Sequence, residues 1–237
     1  MERHLSGASV ACLVLSVASF SFVAATENAT ALRVRTFLET PSPYGVTYFA
    51  AKDLGADAIP LLIQTLHNPA ASEHWEKTVY ALGIIGDSSA RQPLINFLES
   101  GRGRVSDVEY QAKRGVPVAL GYILNQSKDE KILDYLTGGV QTSVWERRIH
   151  WTSKALPTNV ARNTYLTRKS ILALGIAGTV ESKTALSNHH CAIDEKCVFR
   201  DVMTQAIALN SKMQDNHQKP SLAWYLDQTV GAKPSKK

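Results

Sequence analysis

The phrase Ala-Leu-Gly recurs three times along this chain of 237 residues, and this recurrence constrains the fold more than any other feature. The three copies end at Gly83, Gly121 and Gly175, and two related phrases, KDLG and AIALN, end at Gly55 and Asn210. Successive markers lie 28, 38, 54 and 35 residues apart. Most of these spacings are close to the length of a two-helix repeat. The sequence therefore predicts a row of repeated units.

A second apolar run follows each marker after a short polar turn. These runs cover residues 59–66, 92–98, 131–136, 183–186 and 220–226. Pro60, Pro93 and Pro220 fall early in their runs, where a helix tolerates proline because its first N–H groups have no partner within the helix. Apolar residues around the markers recur at intervals of three and four, which is the period of a helix. Each unit is therefore predicted to be a helical hairpin.

Hairpins of this kind bury their apolar faces only against neighbouring hairpins. We therefore expect an all-α fold, an α-solenoid of about five stacked hairpins with a concave and a convex surface. The wide spacing between Gly121 and Gly175 indicates an insertion, which we place at residues 138–160.

Two segments of the chain resemble a known repeat. EKTVYALGIIGDSSARQPLINFL and RKSILALGIAGTVESKTAL are similar to HEAT repeats, of the short HEAT-like type found in the phycobilisome-lyase class. The resemblance is close over residues 71–99 and 161–187 and looser over the rest of 44–226, where Pro117 is expected to interrupt a first helix. It implies a right-handed superhelix. It does not identify a function, because one fold serves many functions.

The N-terminus has the pattern of a secretory signal peptide. The basic start MERH precedes the apolar run ACLVLSVASFSFV, which is too short to span a bilayer, and small residues up to Ala25 form a cleavage site. We expect cleavage after Ala25 and export to the periplasm or the medium, with an uncleaved anchor as the alternative. The solenoid domain is then residues 26–230, followed by a disordered basic tail at 231–237. No other segment of the mature chain is predicted to span a membrane.

Removal of residues 1–25 takes away Cys12 and leaves Cys191 and Cys197. An even number of cysteines in an exported chain predicts a disulfide. The surrounding SNHHCAIDEKC could instead supply zinc ligands. Its Cys-x5-Cys spacing is wider than that of a zinc knuckle, and adjacent histidines rarely bind one ion. We therefore expect the disulfide and no metal.

No pattern typical of catalysis is present. The chain has no nucleophile motif, phosphate loop or dinucleotide fingerprint. Glu73, His74 and Glu76 stand together at a helix start, but the equivalent positions of later repeats hold Arg114 and Arg168. One copy of such a cluster cannot form a two-metal site, so we expect no catalytic residue and no cofactor.

The insertion contains the candidate partner-binding residues Trp145, Arg147, Arg148, His150 and Trp151. Tryptophan and arginine are enriched at interface hot spots, and segments that interrupt a repeat often lie on a binding face. The alternative is that both tryptophans pack onto the helices as a lid.

Repeats, an export signal and the lack of a catalytic pattern favour an exported, non-catalytic scaffold that binds a protein or peptide on its concave face. One alternative is a cofactor- or metal-handling protein similar to lyases built from HEAT-like repeats. Another is a structural envelope component that binds anionic polymers through the net charge of +5. Nucleic acid is not an expected partner, because no binding motif for it occurs. The oligomeric state and the use of the sequons at Asn28 and Asn125 stay open.

Overall fold

A computed structural model describes residues 29–41, 46–189 and 198–215 of the chain. These residues form eleven α-helices and one two-residue parallel pairing, between Gly103–Arg104 (β1) and Trp151–Thr152 (β2). The helices are α1 (29–39), α2 (Tyr48–Lys52), α3 (Ile59–His67), α4 (Trp75–Ile85), α5 (Arg91–Glu99), α6 (Asp107–Ser127), α7 (Glu130–Gly138), α8 (Thr142–Arg148), α9 (Asn159–Ala177), α10 (Val180–Asn188) and α11 (Arg200–Asp215). The prediction of an all-α fold is confirmed.

Several predicted features lie outside the described residues. They are the signal peptide at 1–25, the pair Cys191 and Cys197, the last apolar run at 220–226 and the tail at 231–237. Within the described part of the chain, no helix combines the length and the apolar character that crossing a membrane requires.

The helices form two layers. The helices that carry the repeated phrase, which we call the first helices, pack side by side in the order α4, α6, α9, α11. The other layer contains α3, α5, α7 and α10, which cover the four apolar runs predicted as second helices within the described residues. Contacts of α3 with α4, of α5 and α7 with α6, and of α10 with α9 join the two layers. The main hydrophobic core lies between them.

Neighbouring first helices approach closely at the repeated phrase. A Cβ atom added to Gly83 would lie 2.6 Å from the Cα of Ala119, and one added to Gly121 would lie 2.7 Å from the carbonyl oxygen of Ala173. Real Cβ atoms do not come this close to backbone atoms, so both helix pairs depend on the missing side chain. The glycines of the phrase are therefore packing residues.

The third of these junctions has a different register. Gly175 faces Ala206, with 2.9 Å between an added Cβ and the Ala206 carbonyl oxygen. The phrase AIALN would have placed Ala208 opposite Gly175 by analogy with the other copies. The contact register of α11 is thus shifted by two residues relative to its sequence marker.

Helix α6 continues through Pro117, so the expectation of an interrupted first helix is wrong. A proline inside a helix removes one backbone hydrogen bond and costs about 3 kcal/mol. Here α6 is packed between α4 and α9, and Val116, Leu120 and Ile123 are fully buried. Burial on both sides stabilises the helix by more than the proline destabilises it.

Candidate binding surface

The structure places both tryptophans of the insertion in the core. Trp145 and Trp151 are 0% exposed. The indole Nε1 of Trp145 donates to the carbonyl oxygen of Gly139 and that of Trp151 donates to the carbonyl oxygen of Leu98, both at 2.7 Å. A fully buried indole offers no surface to a partner, so the prediction that these two residues bind one is wrong and the packing alternative is correct.

The three polar candidates of the insertion differ in exposure. Arg147 and His150 are exposed, and Arg148 is half-buried. The Arg148 guanidinium donates to the carbonyl oxygen of Tyr135 at 3.2 Å and lies 4.3 Å from the centre of that ring. A binding role for Arg147, Arg148 and His150 stays a prediction.

Two buried cations support the insertion, and neither was predicted from the sequence. Arg162 is 1% exposed and donates to the carbonyl oxygen of Trp151 at 2.7 Å. The Lys113 ammonium donates to both the carbonyl and the hydroxyl of Ser100, at 2.8 and 3.0 Å, and to the carbonyl of Phe97. These groups satisfy backbone oxygens at the C-terminal end of α5 and beside β2. They act in packing and leave no free polar atom for a ligand.

A second set of residues lies along the first helices α4, α6 and α9, and we call it the first-helix surface. Its members recur at intervals of three or four, so each helix contributes one stripe. They are Glu76 and Tyr80 on α4, Tyr110, Arg114, Val118 and Tyr122 on α6, and Tyr165, Arg168, Lys169 and Leu172 on α9.

Part of the apolar area of the first-helix surface is separate from the main core, whereas Tyr110 belongs to that core and Tyr165 packs against it. Val118, Ile176 and Met213 form a small buried cluster of their own, against which Tyr80 and Leu172 pack half-buried. Tyr48, Tyr122 and Leu209 pack against the same cluster. Half-buried tyrosines in a row present apolar rings and polar hydroxyls together, a combination common at protein interfaces.

The polar part of the surface is centred on Arg114 of α6. Its guanidinium lies 3.5 Å from the carboxylate of Glu76 on α4 and 6.0 Å from the ring centre of Tyr110. The rings of Tyr110 and Tyr165 are 6.4 Å apart, centre to centre. Burial, with a smaller effect of Tyr110, raises the pKa of Tyr165 to about 12. Burial and the nearby Glu76 carboxylate raise the pKa of Tyr80. Both phenols therefore remain hydrogen-bond donors at neutral pH.

Among the described residues, the surface over α6 and α9 carries more cations than carboxylates. The Lys169 ammonium lies 5.4 Å from the ring centre of Tyr165, and burial together with the Arg114 charge lowers its pKa. Arg168 is exposed and donates to the carbonyl oxygen of Val198 at 3.3 Å. Among the described residues, no carboxylate lies within ion-pair distance of Lys169 or Arg168. An anionic group would reduce the repulsion between Arg114 and Lys169.

The other end of the surface is acidic. A groove of about 320 Å³ lies beside Tyr80, between α1 and α4. Its lining includes Glu39, Glu73 and Glu76, together with Lys77. The Lys77 ammonium donates to the carbonyl oxygen of Thr40 at 2.7 Å, so it is engaged by backbone. The first-helix surface is thus basic over α6 and α9 and acidic towards α1.

The described residues contain no group of three or more His, Cys, Asp or Glu side chains that could bind a metal ion. Of the sequence cluster at the start of α4, Glu73 and His74 lie 3.5 Å apart, whereas Glu76 faces Arg114. These side chains belong to the charged rim of the first-helix surface.

The sequence did contain a signal for this surface. Glu76, Arg114 and Arg168 each stand seven residues before the glycine of their repeated phrase. Residues at one repeat position lie side by side on stacked repeats, so a charged ladder could have been predicted there. The row of tyrosines has no such regular spacing.

One hairpin of the chain matches a known family model. Residues 77–100 match the PBS lyase HEAT-like repeat. The chain contains a HEAT-like repeat. The matched HEAT-like hairpin is α4 with α5, which supplies Tyr80 of the first-helix surface, and the match confirms the resemblance over this segment. No curated protein and no solved structure matches the chain.

Proposed function

We propose that this chain is an exported, non-catalytic scaffold of HEAT-like hairpins that binds a protein or peptide segment across the first-helix surface. The observation that carries the proposal is the stripe of tyrosines and charged residues across α4, α6 and α9, in which Arg168 and Lys169 have no carboxylate partner among the described residues. Tyrosine and arginine are the residue types most enriched at interface hot spots. The proposed site therefore moves from residues 138–160 to the first helices.

The proposal includes the right-handed α-solenoid, with the first-helix surface as its concave face. Support comes from the spacing of the two layers. The first helices approach within glycine-limited distance at Gly83 and Gly121, whereas α5 and α7 of the other layer meet through long side chains, such as the Tyr135 hydroxyl that donates to the Glu99 carboxylate at 2.9 Å. A row that is more closely spaced on one side curves towards that side, which makes the first-helix layer the inner one.

The test is affinity capture from the native exported fraction, with the mature chain as bait. Tyr80→Ser and Tyr165→Ser each remove a half-buried ring from the surface. We expect both variants to lose most of the partner that the wild-type chain captures. Arg147→Ala is the matched control, since Arg147 is exposed on the insertion and far from the stripe in sequence.

Each variant is first compared with the wild type by circular dichroism and thermal unfolding, because a loss of fold would also abolish capture. If folded tyrosine variants retain the partner while Arg147→Ala loses it, the site lies on the insertion and the proposed surface is wrong.

The two alternative functions have separate tests. Metal analysis and an absorption spectrum of the purified mature protein address the cofactor- or metal-handling alternative, because a bound metal or chromophore near one per chain would support it. Arg168 and Lys169, which have no carboxylate within ion-pair distance among the described residues, also fit the anionic-polymer alternative. Salt-sensitive binding to such a polymer, in place of a protein, would favour a structural envelope role.

A further inference from the structure

We infer that the partner segment places a cluster of carboxylates against Arg114, Arg168 and Lys169 and an apolar side chain against Tyr122 and Leu172. This inference rests on the proposed function and specifies the chemistry of the partner. It follows from how charge and apolar area are distributed along α6 and α9.

The charge around the basic end favours an anion. Arg114 has one carboxylate neighbour, Glu76 of α4, whereas Arg168 and Lys169 of α9 have none. Glu109 of α6 lies 3.4 Å from the buried ammonium of Lys113 and is engaged there. Three cations therefore share a single carboxylate among the described residues.

The setting would strengthen an ion pair formed there. Lys169 is half-buried beside the Tyr165 ring, and electrostatic attraction is stronger where water is partly excluded. The phenols of Tyr80 and Tyr165 are donors, and Arg114 and Arg168 offer planar guanidinium groups suited to carboxylates. An incoming carboxylate would exchange water for several charge-assisted hydrogen bonds.

The apolar end sets the spacing of the partner motif. Tyr122 follows Arg114 by two turns of α6, a distance of about 12 Å at 1.5 Å per residue. An extended peptide covers that distance in about four residues. The predicted partner motif is therefore two adjacent acidic residues followed, about four residues later, by a large apolar residue.

The experiment measures fluorescence anisotropy with labelled synthetic peptides and the mature chain. The probe peptide contains two adjacent aspartates with a leucine four positions later, and the comparison peptide has asparagines in their place. We expect the acidic peptide to bind and its affinity to fall with added salt. The neutral Lys169→Gln and Arg168→Gln double variant should bind about tenfold or more weakly, because it removes two charge-assisted contacts.

Lys131→Gln is the matched control. Lys131 is an exposed lysine on α7, in the other helix layer, and its loss changes the net charge without changing the first-helix surface. It should bind the acidic peptide as the wild type does. A double variant that binds the acidic peptide as tightly as wild type, or a wild type that binds both peptides equally, overturns the inference.

The outcomes separate the inference from the proposed function. If the native partner is lost in Tyr80→Ser and Tyr165→Ser but kept in the lysine–arginine double variant, the surface binds a partner by other chemistry and only the inference fails. If no first-helix variant affects capture, the proposed function fails as well. If the wild type binds heparin but not the acidic peptide, the ligand of the basic residues is an anionic polymer and the inference of a peptide partner is wrong.

Discussion

The glycines of the repeated phrase allow neighbouring helices to pack closely, because a glycine has no side chain to keep their backbones apart. At Gly83, an added Cβ would overlap the backbone of Ala119 rather than a flexible side chain. Backbone cannot give way without moving a whole helix, so even alanine is too large here. Other glycines of the same chain lack this constraint, which provides an internal comparison.

Gly83→Ala is expected to destabilise the protein by about 1–3 kcal/mol, because it overpacks the junction between α4 and α6. Gly138→Ala is the control. It lies at the end of α7, where an added Cβ would meet only the flexible end of Arg148 at 3.4 Å, and alanine in a helix is favoured over glycine. Urea unfolding of both variants gives the comparison. Equal stability of the two variants would contradict the packing role of Gly83.

Lys113 gives the protein a pH dependence of stability. Burial lowers its pKa to about 8 from the ordinary 10.5, and Glu109 opposes the shift only in part. Between these two pH values, the unfolded chain binds a proton that the folded chain has released. Stability attributable to Lys113 therefore rises with pH from about 8 upwards, by at most about 1.4 kcal/mol per pH unit.

The measurement is urea unfolding of wild type and Lys113→Met from pH 7 to 10. The difference in unfolding free energy between them should grow in favour of the wild type as the pH rises. Other lysines with lowered pKa, such as Lys52 and Lys169, remain in both proteins and cancel in the difference. A difference that is constant across the range would show that Lys113 is charged equally in both states.

At the scale of elements, the insertion is part of the core. Trp151 is enclosed by α5, by β1 and by Arg162 of α9. Trp151→Ala is expected to cost about 3–5 kcal/mol of stability, because it removes a fully buried ring and the closer donor of the Leu98 carbonyl, which keeps only the Lys113 ammonium at 3.4 Å. Arg147→Ala, on the exposed side of the same insertion, should change stability by less than about 0.5 kcal/mol. Thermal and urea unfolding would measure both effects.

The last turn of α6 stabilises the ends of two neighbouring helices. Asn125 donates to the carbonyl oxygen of Ala177 at the end of α9, at 3.0 Å, and Gln126 donates to that of Ile84 near the end of α4, at 2.9 Å. Carbonyl groups at a helix end have no partner within the helix. Two adjacent side chains of α6 thus connect it to the first helices on both sides.

Asn125→Ala should lower stability by about 1 kcal/mol, because one carbonyl at the end of α9 loses its donor. The wild type is the control, with both proteins produced in a host that does not glycosylate, because Ser127→Ala would also remove the hydrogen bond from the Ser127 hydroxyl to the Ile123 carbonyl, at 2.9 Å. Comparing the two by denaturant unfolding separates the hydrogen bond from any effect of glycosylation. An Asn125→Ala protein as stable as the wild type would rule out this role for the amide.

For the whole molecule, export and the disulfide remain predictions. We expect protein purified from the exported fraction to begin at Thr26, as N-terminal sequencing would show. The protein is then treated with an alkylating reagent without a reductant, and its intact mass is measured. If Cys191 and Cys197 form a disulfide, neither is alkylated, and the mass is that of the reduced chain less two hydrogen atoms. A protein that keeps residues 1–25, or that carries two alkylated cysteines, would contradict the predicted compartment.

The periodic features of the sequence predicted the hairpins, because local apolar spacing determines which residues form each helix. The burial of Trp145 and Trp151 could not be predicted, since tryptophan and arginine enrich interfaces and also pack in cores. Lys113 was missed because its acceptors lie on another helix, more than a dozen residues away. The register of α11 was misaligned because AIALN lacks the glycine that marks the close approach.

The glycine–alanine contact between first helices occurs at the junctions of α4 with α6 and of α6 with α9. Both junctions use the same phrase on each side, so a duplicated hairpin would carry both halves of the contact with it. A gene for such an array can therefore gain or lose a hairpin by recombination without new compensating mutations at the junction. The length of the chain, and with it the length of the first-helix surface, is then open to change by whole units during evolution.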